Sequence, residues 1–394
     1  MVSTCWRIIP RTMIYLDNNA TTAPLPEVVQ AVHDHMVHHY GNPSSLHQLG
    51  QRSRHAIEQA RQDVASLLGA KTRQVVFTSG GTESIHLALR GGVRSTGTRR
   101  RIVTSQGEHS AVARSCEWLR NAGFEIVEVP ISRSGIIDQD VWADSIDDST
   151  ALATFHHVNS ETGVVQDIDA LGTIARERGC LVHIDAVQSA GKLPLSIGDR
   201  PVDFASVSAH KFHGPAGIGA LYVRRTNLVE PILSGVQEQG VRGGTENAAG
   251  IVGMGVAAAA CSSSYESMQR VSALRDCFEQ GMTSRVSAAC VIAQDAPRIG
   301  NTSYIGFSGI QSEGLLILMN EHGVCASAGA ACSSGSLEPS PVLRAMGVPE
   351  DLAHGGIRFS FSRFTSSEDV DQALEIIPPL YARLHGLSAN SQTE

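Results

Sequence analysis

The chain has 394 residues, a formal net charge of −8 and an ordinary globular composition, with 42% hydrophobic and 18% charged residues. This length is sufficient for the cores of two or three domains. The acidic balance argues against a general nucleic-acid or anionic-membrane surface, and no apolar run reaches the roughly 20 residues that span a bilayer. We therefore expect a globular protein that binds neither nucleic acid nor membrane.

The N-terminal residues 1–12 contain arginines and one short apolar patch, Ile8-Ile9-Pro10. They lack the longer apolar core and the small-residue cleavage site of a secretory signal. A clearer strand pattern begins at Met13. Residues 1–12 are therefore predicted to be a disordered leader or an over-extended gene start.

The chain has eight cysteines, and six of them are scattered without the spacing of a metal site. In a chain of this size, such cysteines indicate buried thiols in a reducing compartment, which favours a cytoplasmic location. Cys325 and Cys332 differ from the others, because both lie in a loop of small residues.

Strand and helix patterns alternate from Gln74 to Val223. Strands are predicted at Gln74–Thr78, Arg101–Thr104, Glu125–Val129, Ala151–Phe155, Leu181–Asp185, Asp203–Ser208 and Gly219–Val223. Helices are predicted at Pro24–His39, Leu46–Leu68, Gly81–Gly92, Ser110–Ala122, Asp167–Arg178 and part of Ala186–Ala190. Repeated strand-then-helix units predict an α/β fold with a mainly parallel sheet between two helical layers. Functional sites in such folds collect at the carboxyl ends of the strands.

The pattern changes at about Ile251, where one long helix to roughly Met282 leads into shorter strands. These strands are predicted at Cys290–Ala293, Ser303–Gly306 and Arg358–Ser362, with helices at Glu313–Asn320, Pro339–Met346 and Ser367–Leu387. We interpret this part as a smaller α+β domain. The predicted division is a large domain at 26–255 and a small domain at 256–394, with the N-terminal segment 13–25 associated with the small domain.

Lys211 is one of only three lysines, and it follows a predicted strand in the sequence Ser208-Ala209-His210-Lys211. A lysine that forms a Schiff base must be desolvated enough for its neutral amine to attack a carbonyl. Ser208 and His210 lie beside it and can help to bind a phosphate. The alternative is a surface charge at a strand end, but the flanking residues favour the covalent role. Lys71 and Lys192 are predicted to lie at an exposed helix end and in a loop.

Two further strand ends carry groups that suit a cofactor. The stretch from Thr78 to Glu83 contains Gly81 and Thr82 at a strand-to-helix junction, which suits either a phosphate cup or an ordinary helix cap. Asp185 ends a strand, and Gln188 follows closely. A carboxylate in this position can pair with a protonated pyridine nitrogen, or it can simply cap a helix.

His109 and Arg358 are candidates with equally ordinary alternatives. His109 lies at another strand-to-helix junction, where it can stack on a ring and move protons, or serve a structural role as one of sixteen histidines. Arg358 lies within a strand pattern. A buried arginine needs an anion, which is either a substrate carboxylate or an acidic side chain of the chain itself.

Cys332 lies in the small-residue loop Ala328 to Ser336. An ordinary thiol has a pKa of about 8.5, so a fraction is thiolate at neutral pH. A mobile, accessible loop suits a nucleophile that must enter a site and leave it. The alternative is a buried cysteine in a turn of small residues.

Taken together, these residues resemble the NifS/IscS-type cysteine desulfurases, which are pyridoxal-phosphate (PLP) enzymes of the class V aminotransferase fold. The resemblance extends from Tyr15–Thr22 to Arg358–Thr365. It implies a fold-type I PLP-dependent transferase, in which a large domain with a mainly parallel seven-stranded sheet precedes a smaller α+β C-terminal domain.

The resemblance also implies a role for each candidate. Lys211 would carry the cofactor, Asp185 would pair with the pyridine nitrogen, Gln188 with the ring hydroxyl, and His109 would stack on the ring. The remaining roles are phosphate contacts for Gly81, Thr82, Ser208 and His210, substrate binding for Arg358 and Asn19, persulfide formation for Cys332, and contact of Thr245 with the phosphate of a partner subunit. Shared sites of this kind imply a homodimer.

The implied reaction converts L-cysteine to L-alanine. Lys211 and His109 would move protons, and the Cys332 thiolate would attack the substrate sulfur to form a persulfide. The sulfur would then pass to an acceptor or scaffold protein, for iron–sulfur cluster assembly or tRNA thiolation. Another PLP activity on the same fold is the alternative, such as a selenocysteine lyase, a cystine lyase or a transaminase, although a transaminase has no use for a nucleophilic thiol.

Two of the departures from the family pattern bear on the implied chemistry. Ser160 stands where the family usually has an asparagine that contacts the ring hydroxyl, so Gln188 or a water is predicted to take over that contact. Cys325 is an extra thiol seven residues before Cys332. It could resolve a persulfide as a disulfide or trisulfide, but we favour a plain substitution.

Overall fold

A computed structural model describes residues 13–261, 265–329 and 339–391 of the chain. The predicted leader at 1–12 and the predicted nucleophile Cys332 lie outside the described residues. The strands are β1 Ile14–Tyr15, β2 Val75–Thr78, β3 Arg101–Ser105, β4 Glu125–Val129, β5 Thr150–His156, β6 Leu181–Asp185, β7 Phe204–Ser208, β8 Gly219–Val223, β9 Ala289–Val291, β10 Thr302–Phe307, β11 Val324–Cys325 and β12 Gly356–Ser360.

The helices cover both faces of the large sheet and pack around the smaller one. They are α1 Pro26–His38, α2 Gln48–Leu68, α3 Gly81–His86, α4 Ser110–Asn121, α5 Gln139–Ser145, α6 Ile168–Glu177, α7 Ala248–Cys261, α8 Tyr265–Arg285, α9 Ser312–Glu321, α10 Pro341–Ala345, α11 Glu350–His354 and α12 Ser367–Ser391. A π-helical turn, Leu87–Gly91, continues α3. Within the described residues, none of these helices combines the length and the apolar character that crossing a bilayer requires.

The seven-stranded sheet has the order β2-β8-β7-β6-β5-β3-β4, and β8 alone runs against its neighbours. This confirms the predicted α/β fold with a mainly parallel sheet. Every residue of the interior strand β5 is buried, as expected for a parallel strand that helices cover on both sides. The parallel strands place their carboxyl ends at one edge, and this edge receives the predicted site residues.

A second, three-stranded antiparallel sheet has the order β12-β10-β9. Its core contains a cluster of aromatic side chains, Phe278, Phe359 and Phe361, whose ring centroids lie 4.8 and 5.5 Å apart. β1 pairs in parallel with β11, so the N-terminal segment joins this part of the molecule. The predicted boundary at 255/256 falls inside α7, whose buried side chains belong to the core of the large sheet as far as Cys261.

One local prediction was wrong. Residues Ala186–Ala190 form successive turns instead of a helix, because Ser189 binds back to the carbonyl of Ala186 and Gly191 takes a left-handed φ of 74°. The helix predicted at Ile251–Met282 corresponds to α7 and α8, and residues 262–264 between them lie outside the described part of the chain.

A buried ion pair fixes the loop before α7 to the large domain. Arg61 Nη1 and Nη2 donate to the Glu238 carboxylate at 2.6 and 2.8 Å, and both side chains are nearly inaccessible, at 8% and 3% exposure. Glu238 also accepts from the main-chain N–H of Phe77 on the edge strand β2, at 2.7 Å. The pair therefore connects α2, β2 and residues 238–240.

We expect Glu238→Gln to destabilise the protein by about 3 kcal/mol, because the substitution removes the buried counter-ion of Arg61 and leaves only the exposed Glu58 at 3.3 Å. Urea unfolding measures the loss. Glu230→Gln is the matched control: Glu230 pairs with Arg94 at 3.4 Å, but both side chains are 55% exposed. Its cost should be below about 1 kcal/mol. Equal losses of unfolding free energy in the two variants would contradict the claim that burial makes the Arg61–Glu238 pair the stronger one.

Candidate active site

The carboxyl edge of the large sheet brings the candidate residues together from separate parts of the chain. Asp185 ends β6 and Lys211 follows the adjacent strand β7. His109 lies just after β3, on the other side of β5. The predicted phosphate cup joins β2 to α3. The parallel sheet therefore places the lysine, the carboxylate, the imidazole and the cup at one edge, as the strand-end argument predicts.

Lys211 is half-buried and points at the N-terminal segment. Its Nζ donates to the main-chain carbonyls of Asn19 and Ala20 at 2.6 and 2.8 Å. The same segment is tied to the lysine loop by Thr22, whose N–H donates to the His210 carbonyl at 2.9 Å and whose Oγ1 accepts from the N–H of His213 at 2.7 Å. Residues 19–22 therefore form one wall of the site.

The Asp185 carboxylate is buried, and one of its oxygens has a structural contact. Oδ1 accepts from the main-chain N–H of Val187 at 2.9 Å, so the side chain caps a turn and still has Oδ2 for a second partner. Burial raises the pKa of Asp185, and the nearby charges of His109 and His156 partly offset that rise. A buried carboxylate of this kind is suited to share a proton with a ring nitrogen.

A buried pair behind Asp185 was not found from the sequence. His156 Nδ1 lies 2.9 Å from Glu108 Oε1, and the two side chains are 4% and 3% exposed. Burial opposes the positive charge of His156, but Glu108 outweighs it and raises the pKa of His156. The motif Gly107-Glu108-His109 therefore serves two purposes. Glu108 forms a buried pair with His156 behind the site, and His109 lies at the surface of the site.

His109 has both the structural and the functional features that the sequence left open. It is the N-cap residue of α4, and its Nδ1 accepts from the main-chain N–H of Ala111 at 3.1 Å. A neutral imidazole with an acceptor at Nδ1 carries its proton at Nε2. The cap therefore fixes the tautomer and orientation of the ring that is predicted to stack on a cofactor.

The predicted cup packs closely against its neighbours at residue 81. A Cβ at Gly81 would lie 2.8 Å from Val187 Cγ2 and 3.6 Å from the Cβ of Ser208. Glu83 closes the turn by accepting from the N–H of Ser79 at 2.6 Å. Thr82 is exposed at the helix start. Hydroxyls and main-chain N–H groups at a helix start are donors that bind phosphate, and a glycine lets the backbone approach the phosphate closely.

His210 contributes a neutral imidazole next to this cup. Its Nδ1 lies 3.2 Å from Thr21 Oγ1. Burial, followed by the charges of Lys211 and Lys192, lowers its pKa to about 4. The ring therefore carries no charge at neutral pH and acts as a hydrogen-bonding group.

Gln188 is buried and faces the same wall as Lys211. Its Nε2 donates to the carbonyl of Asn19 at 3.0 Å, and its Oε1 accepts from Lys192 Nζ at 2.9 Å. Lys192 was predicted to be a loop lysine, and it does follow a turn, but its side chain is buried inside the site, with 8% exposure. The two residues stand four positions apart, which is the one sequence signal that could have suggested their contact.

Arg358 is buried and already holds anionic and polar groups of the chain itself. Its Nη2 pairs with Asp17 Oδ1 at 2.9 Å and its Nη1 donates to the carbonyl of Ser160 at 3.0 Å. Nε has no hydrogen-bond partner among the described residues. Both alternatives from the sequence therefore remain: the internal ion pair exists, and the arginine still has a donor for a carboxylate ligand.

The Asn19 side chain is enclosed by the small domain. Its Nδ2 donates to Thr302 Oγ1 at 2.9 Å, and its Oδ1 accepts from Asn301 Nδ2 at 3.1 Å. Its predicted contact with substrate stays a prediction. The main-chain carbonyl of Asn19, which accepts from Lys211 and Gln188, is the feature that sequence reasoning missed.

Thr245 and Cys325 lie in different surroundings. Thr245 is exposed and lines a groove of about 110 Å³ with Thr78 and Ser79 of its own chain. Cys325 lies in β11 beside Tyr15, and burial, followed by Asp17, raises the pKa of its thiol. The contact of Thr245 with the phosphate of a partner subunit and the plain substitution at Cys325 both stay predictions.

The residues at this edge fit PLP. The cup, Ser208 and the neutral His210 suit its phosphate, the buried Asp185 suits a protonated ring nitrogen, and Lys211 supplies an amine.

Lys192 gives a pH-dependent prediction for the cofactor-free protein. Burial, followed by the charges of Lys211 and Arg358, lowers its pKa from 10.5 to about 7. Unfolding restores the ordinary value, so the unfolded chain binds more protons between about pH 7 and pH 10.5. The cost of charging Lys192 is fully present below pH 7 and fades as the pH rises towards 10.5.

We therefore expect the melting temperature of wild type, relative to Lys192→Met, to rise with pH across this window, because the methionine has no charge to desolvate. Thermal melts at a series of pH values measure the difference. Lys71→Met is the control, since Lys71 is exposed. Parallel curves for wild type and Lys192→Met would contradict the lowered pKa.

The chain matches the aminotransferase class-V family over residues 14–373. A protein from Trichormus azollae named cysteine desulfurase is 43% identical over 379 residues, which cover 96% of this chain and 95% of that protein.

Two solved structures are also similar. A NifS-like protein superposes with a TM-score of 0.88 at 33% identity, over 94% of this chain and 100% of the other. The structure of SspA in complex with cysteine gives a TM-score of 0.79 at 33% identity, over 89% of this chain and 99% of the other. The chain belongs to the aminotransferase class-V family.

Proposed function

We propose that this protein is a PLP-dependent cysteine desulfurase, which converts L-cysteine to L-alanine and passes the sulfur to an acceptor through a persulfide on Cys332. The observation that carries the proposal is the convergence of Lys211, Asp185 and His109 with the cup at one sheet edge. The cysteine desulfurase relative at 43% identity supports the reaction, and the cysteine complex of SspA supports the substrate class.

Bound PLP would supply an electron sink that makes the Cα proton and the C–S bond of the substrate labile. The residues of the chain would do the rest. Lys211 would hold the cofactor and then move a proton at the substrate Cα, and Asp185 would keep the ring nitrogen protonated. His109, with its proton at Nε2, would stack on the ring and move a second proton. Arg358 would bind the substrate carboxylate through its fork.

The sulfur step needs a nucleophile and no external oxidant. The Cys332 thiolate attacks the substrate sulfur, the C–S bond breaks as the S–S bond forms, and the carbon takes up a proton to give alanine. Cysteine plus the enzyme thiol therefore becomes alanine plus the enzyme persulfide. The sulfur is oxidised and the carbon is reduced, so the atoms and electrons balance within the two reactants.

Three buried thiols of the chain are poorly suited to this role. Burial raises the pKa of Cys116 to about 12 and those of Cys180 and Cys261 to about 11. Thiols with such values carry almost no thiolate at neutral pH. The six cysteines in the described ranges are all free, which supports the proposed cytoplasmic, reducing location.

We also propose a homodimer in which Thr245 reaches the cofactor phosphate of the partner subunit. Thr245 is exposed, and the segment beside it carries three exposed apolar side chains, Ile232, Leu233 and Val236, of which Val236 is 87% exposed. The N–H of Gly243 donates to the carbonyl of Leu233 at 2.8 Å, so these side chains and Thr245 belong to one connected surface. Apolar side chains grouped in this way suggest an interface.

A selenocysteine or cystine lyase, or a transaminase, is the alternative on the same fold. Only a desulfurase that works through Cys332 gives equal amounts of alanine and persulfide sulfur from L-cysteine. We expect purified protein with L-cysteine and a reductant to produce sulfide and alanine in equal amounts. Cys332→Ser should keep the visible absorbance of bound PLP and lose sulfide release by at least about 100-fold, because a hydroxyl does not replace a thiolate as sulfur acceptor.

Lys211→Ala should remove the visible absorbance, because the covalent bond of Lys211 to PLP is its proposed source. Lys71→Ala is the matched control and should behave as wild type. A Cys332→Ser protein with full activity would disprove the persulfide role, and an unchanged spectrum in Lys211→Ala would remove Lys211 from the cofactor role.

Mixed dimers test the position of Thr245. We expect Thr245→Val alone to weaken PLP binding about tenfold, through loss of a hydrogen bond to a charged group. A heterodimer of one Lys211→Ala subunit and one Thr245→Val subunit then decides the geometry. If Thr245 serves the partner, one site in this dimer is fully wild type, and half of the sites bind PLP with wild-type affinity. If it serves its own subunit, neither site is wild type and no tight binding remains.

A further inference from the structure

The second buried lysine of the site has no assigned role. Lys192 Nζ donates to Gln188 Oε1 at 2.9 Å and lies 3.5 Å from Asn19 Oδ1. Lys211 Nζ donates to the main-chain carbonyl of the same Asn19 at 2.6 Å. Two of the three lysines in the chain therefore meet at one residue of the N-terminal segment.

The contact with Lys192 determines which way the Gln188 amide faces. A lysine ammonium only donates hydrogen bonds, so it selects the carbonyl oxygen of the amide and turns Nε2 to the opposite side. There, Nε2 donates to the Asn19 carbonyl at 3.0 Å. A flipped amide would place Nε2 against the ammonium and Oε1 against a carbonyl. Both contacts would then be repulsive, and buried polar groups would be left unpaired.

The charged neighbours of Lys192 are cations. Lys211 and Arg358 lower its pKa after burial does, and Cys261 also faces it. His210 and His213, which face it as well, both have pKa values of about 4 and are neutral at pH 7. Cys261, with a pKa of about 11, is protonated. Lys192 and Lys211 therefore repel each other when both are protonated, and this coupling is reciprocal.

We propose that Lys192 is a positioning residue of the active site, which holds the Gln188 amide so that the Nε2 hydrogen not used by the Asn19 carbonyl is available to the cofactor ring, and whose charge favours loss of a proton from Lys211. This inference rests on the proposed function, because it assigns Lys192 a purpose only where Lys211 carries PLP. A like charge nearby is one of the two established ways to make a lysine amine nucleophilic, and desolvation is the other. Lys192 supplies the first, beside an amine that is already half-buried.

The inference also accounts for a departure from the family pattern. Ser160, which stands in place of the usual asparagine, contributes its main-chain carbonyl to Arg358 and to Asn19 Nδ2, at 3.0 and 3.3 Å. None of the side-chain hydrogen bonds in the described residues involves its hydroxyl. With that asparagine absent, Gln188 is the side chain in place to contact the ring hydroxyl, and fixing its orientation becomes more important.

The test uses the PLP-loaded protein and two readouts besides activity: the PLP dissociation constant, and the pH midpoint of the visible absorbance change. We expect Lys192→Met to weaken PLP binding about tenfold, through loss of an oriented hydrogen bond to a charged group. The midpoint should rise by about one unit, because removal of a like charge stabilises the proton at the Lys211 nitrogen. Lys71→Met, the matched control, should change neither value.

A double-mutant cycle with Gln188→Leu separates positioning from general damage. If Lys192 acts on PLP binding through Gln188, adding Lys192→Met to Gln188→Leu should weaken binding by less than about twofold. A full tenfold loss on that background would overturn the positioning role. A midpoint that does not move in Lys192→Met would overturn the electrostatic role.

The same measurements with Lys192→Gln, an uncharged polar replacement, keep the test decisive if the methionine variant does not fold. An unshifted midpoint in that variant overturns the inference as well. Failure of the inference is distinct from failure of the proposed function. If wild type binds PLP and forms alanine, and Lys192→Met has the same PLP dissociation constant and absorbance midpoint as Lys71→Met, the inference alone is refuted. Wild type that binds no PLP refutes the proposed function.

Discussion

The contact of Lys211 with the carbonyls of Asn19 and Ala20 is the interaction on which the site depends. It joins the carboxyl end of β7 to a segment that also contacts the small domain. The N–H of Asn19 donates to Ser360 Oγ at 2.8 Å, and its side chain binds Thr302 and Asn301. A lysine amine with two main-chain acceptors is held in place, and the surrounding walls come from both parts of the molecule.

The electrostatics of the site differ from those of the whole chain. The protein carries a formal net charge of −8, yet Lys192, Lys211 and Arg358 meet at one sheet edge, while His210 is neutral through burial. Asp17 is the acid that pairs with one of these cations, Arg358. The local excess of positive charge favours anionic ligands, and a phosphate and an amino-acid carboxylate are the two anions that the proposed reaction needs.

Much of this arrangement could be predicted from the sequence, because short buried strands followed by glycine and polar residues are a local pattern. All seven strands of the large sheet and the positions of Asp185, His109 and Lys211 at their ends follow from it. Lys192 could not be found in this way. A lysine after Gly191 resembles a solvated loop residue, and only the Gly191 turn folds its side chain back onto Gln188. Asp17 and Glu108 were missed for a related reason, since their partners Arg358 and His156 are distant in sequence.

Arg358 shows how the separate parts of the site depend on one another. Its partners lie on three segments: Asp17 follows β1, Ser160 follows β5, and Ser327, whose Oγ lies 3.3 Å from Nη2, follows β11. Nη1 is also 3.4 Å from the carbonyl of Gly329, the last described residue before the stretch that contains Cys332. Because one guanidinium has a fixed planar fork, a ligand that draws it away from Asp17 changes its geometry at the other contacts too. The arginine therefore links the wall that holds Lys211 to the segment that precedes the proposed nucleophile.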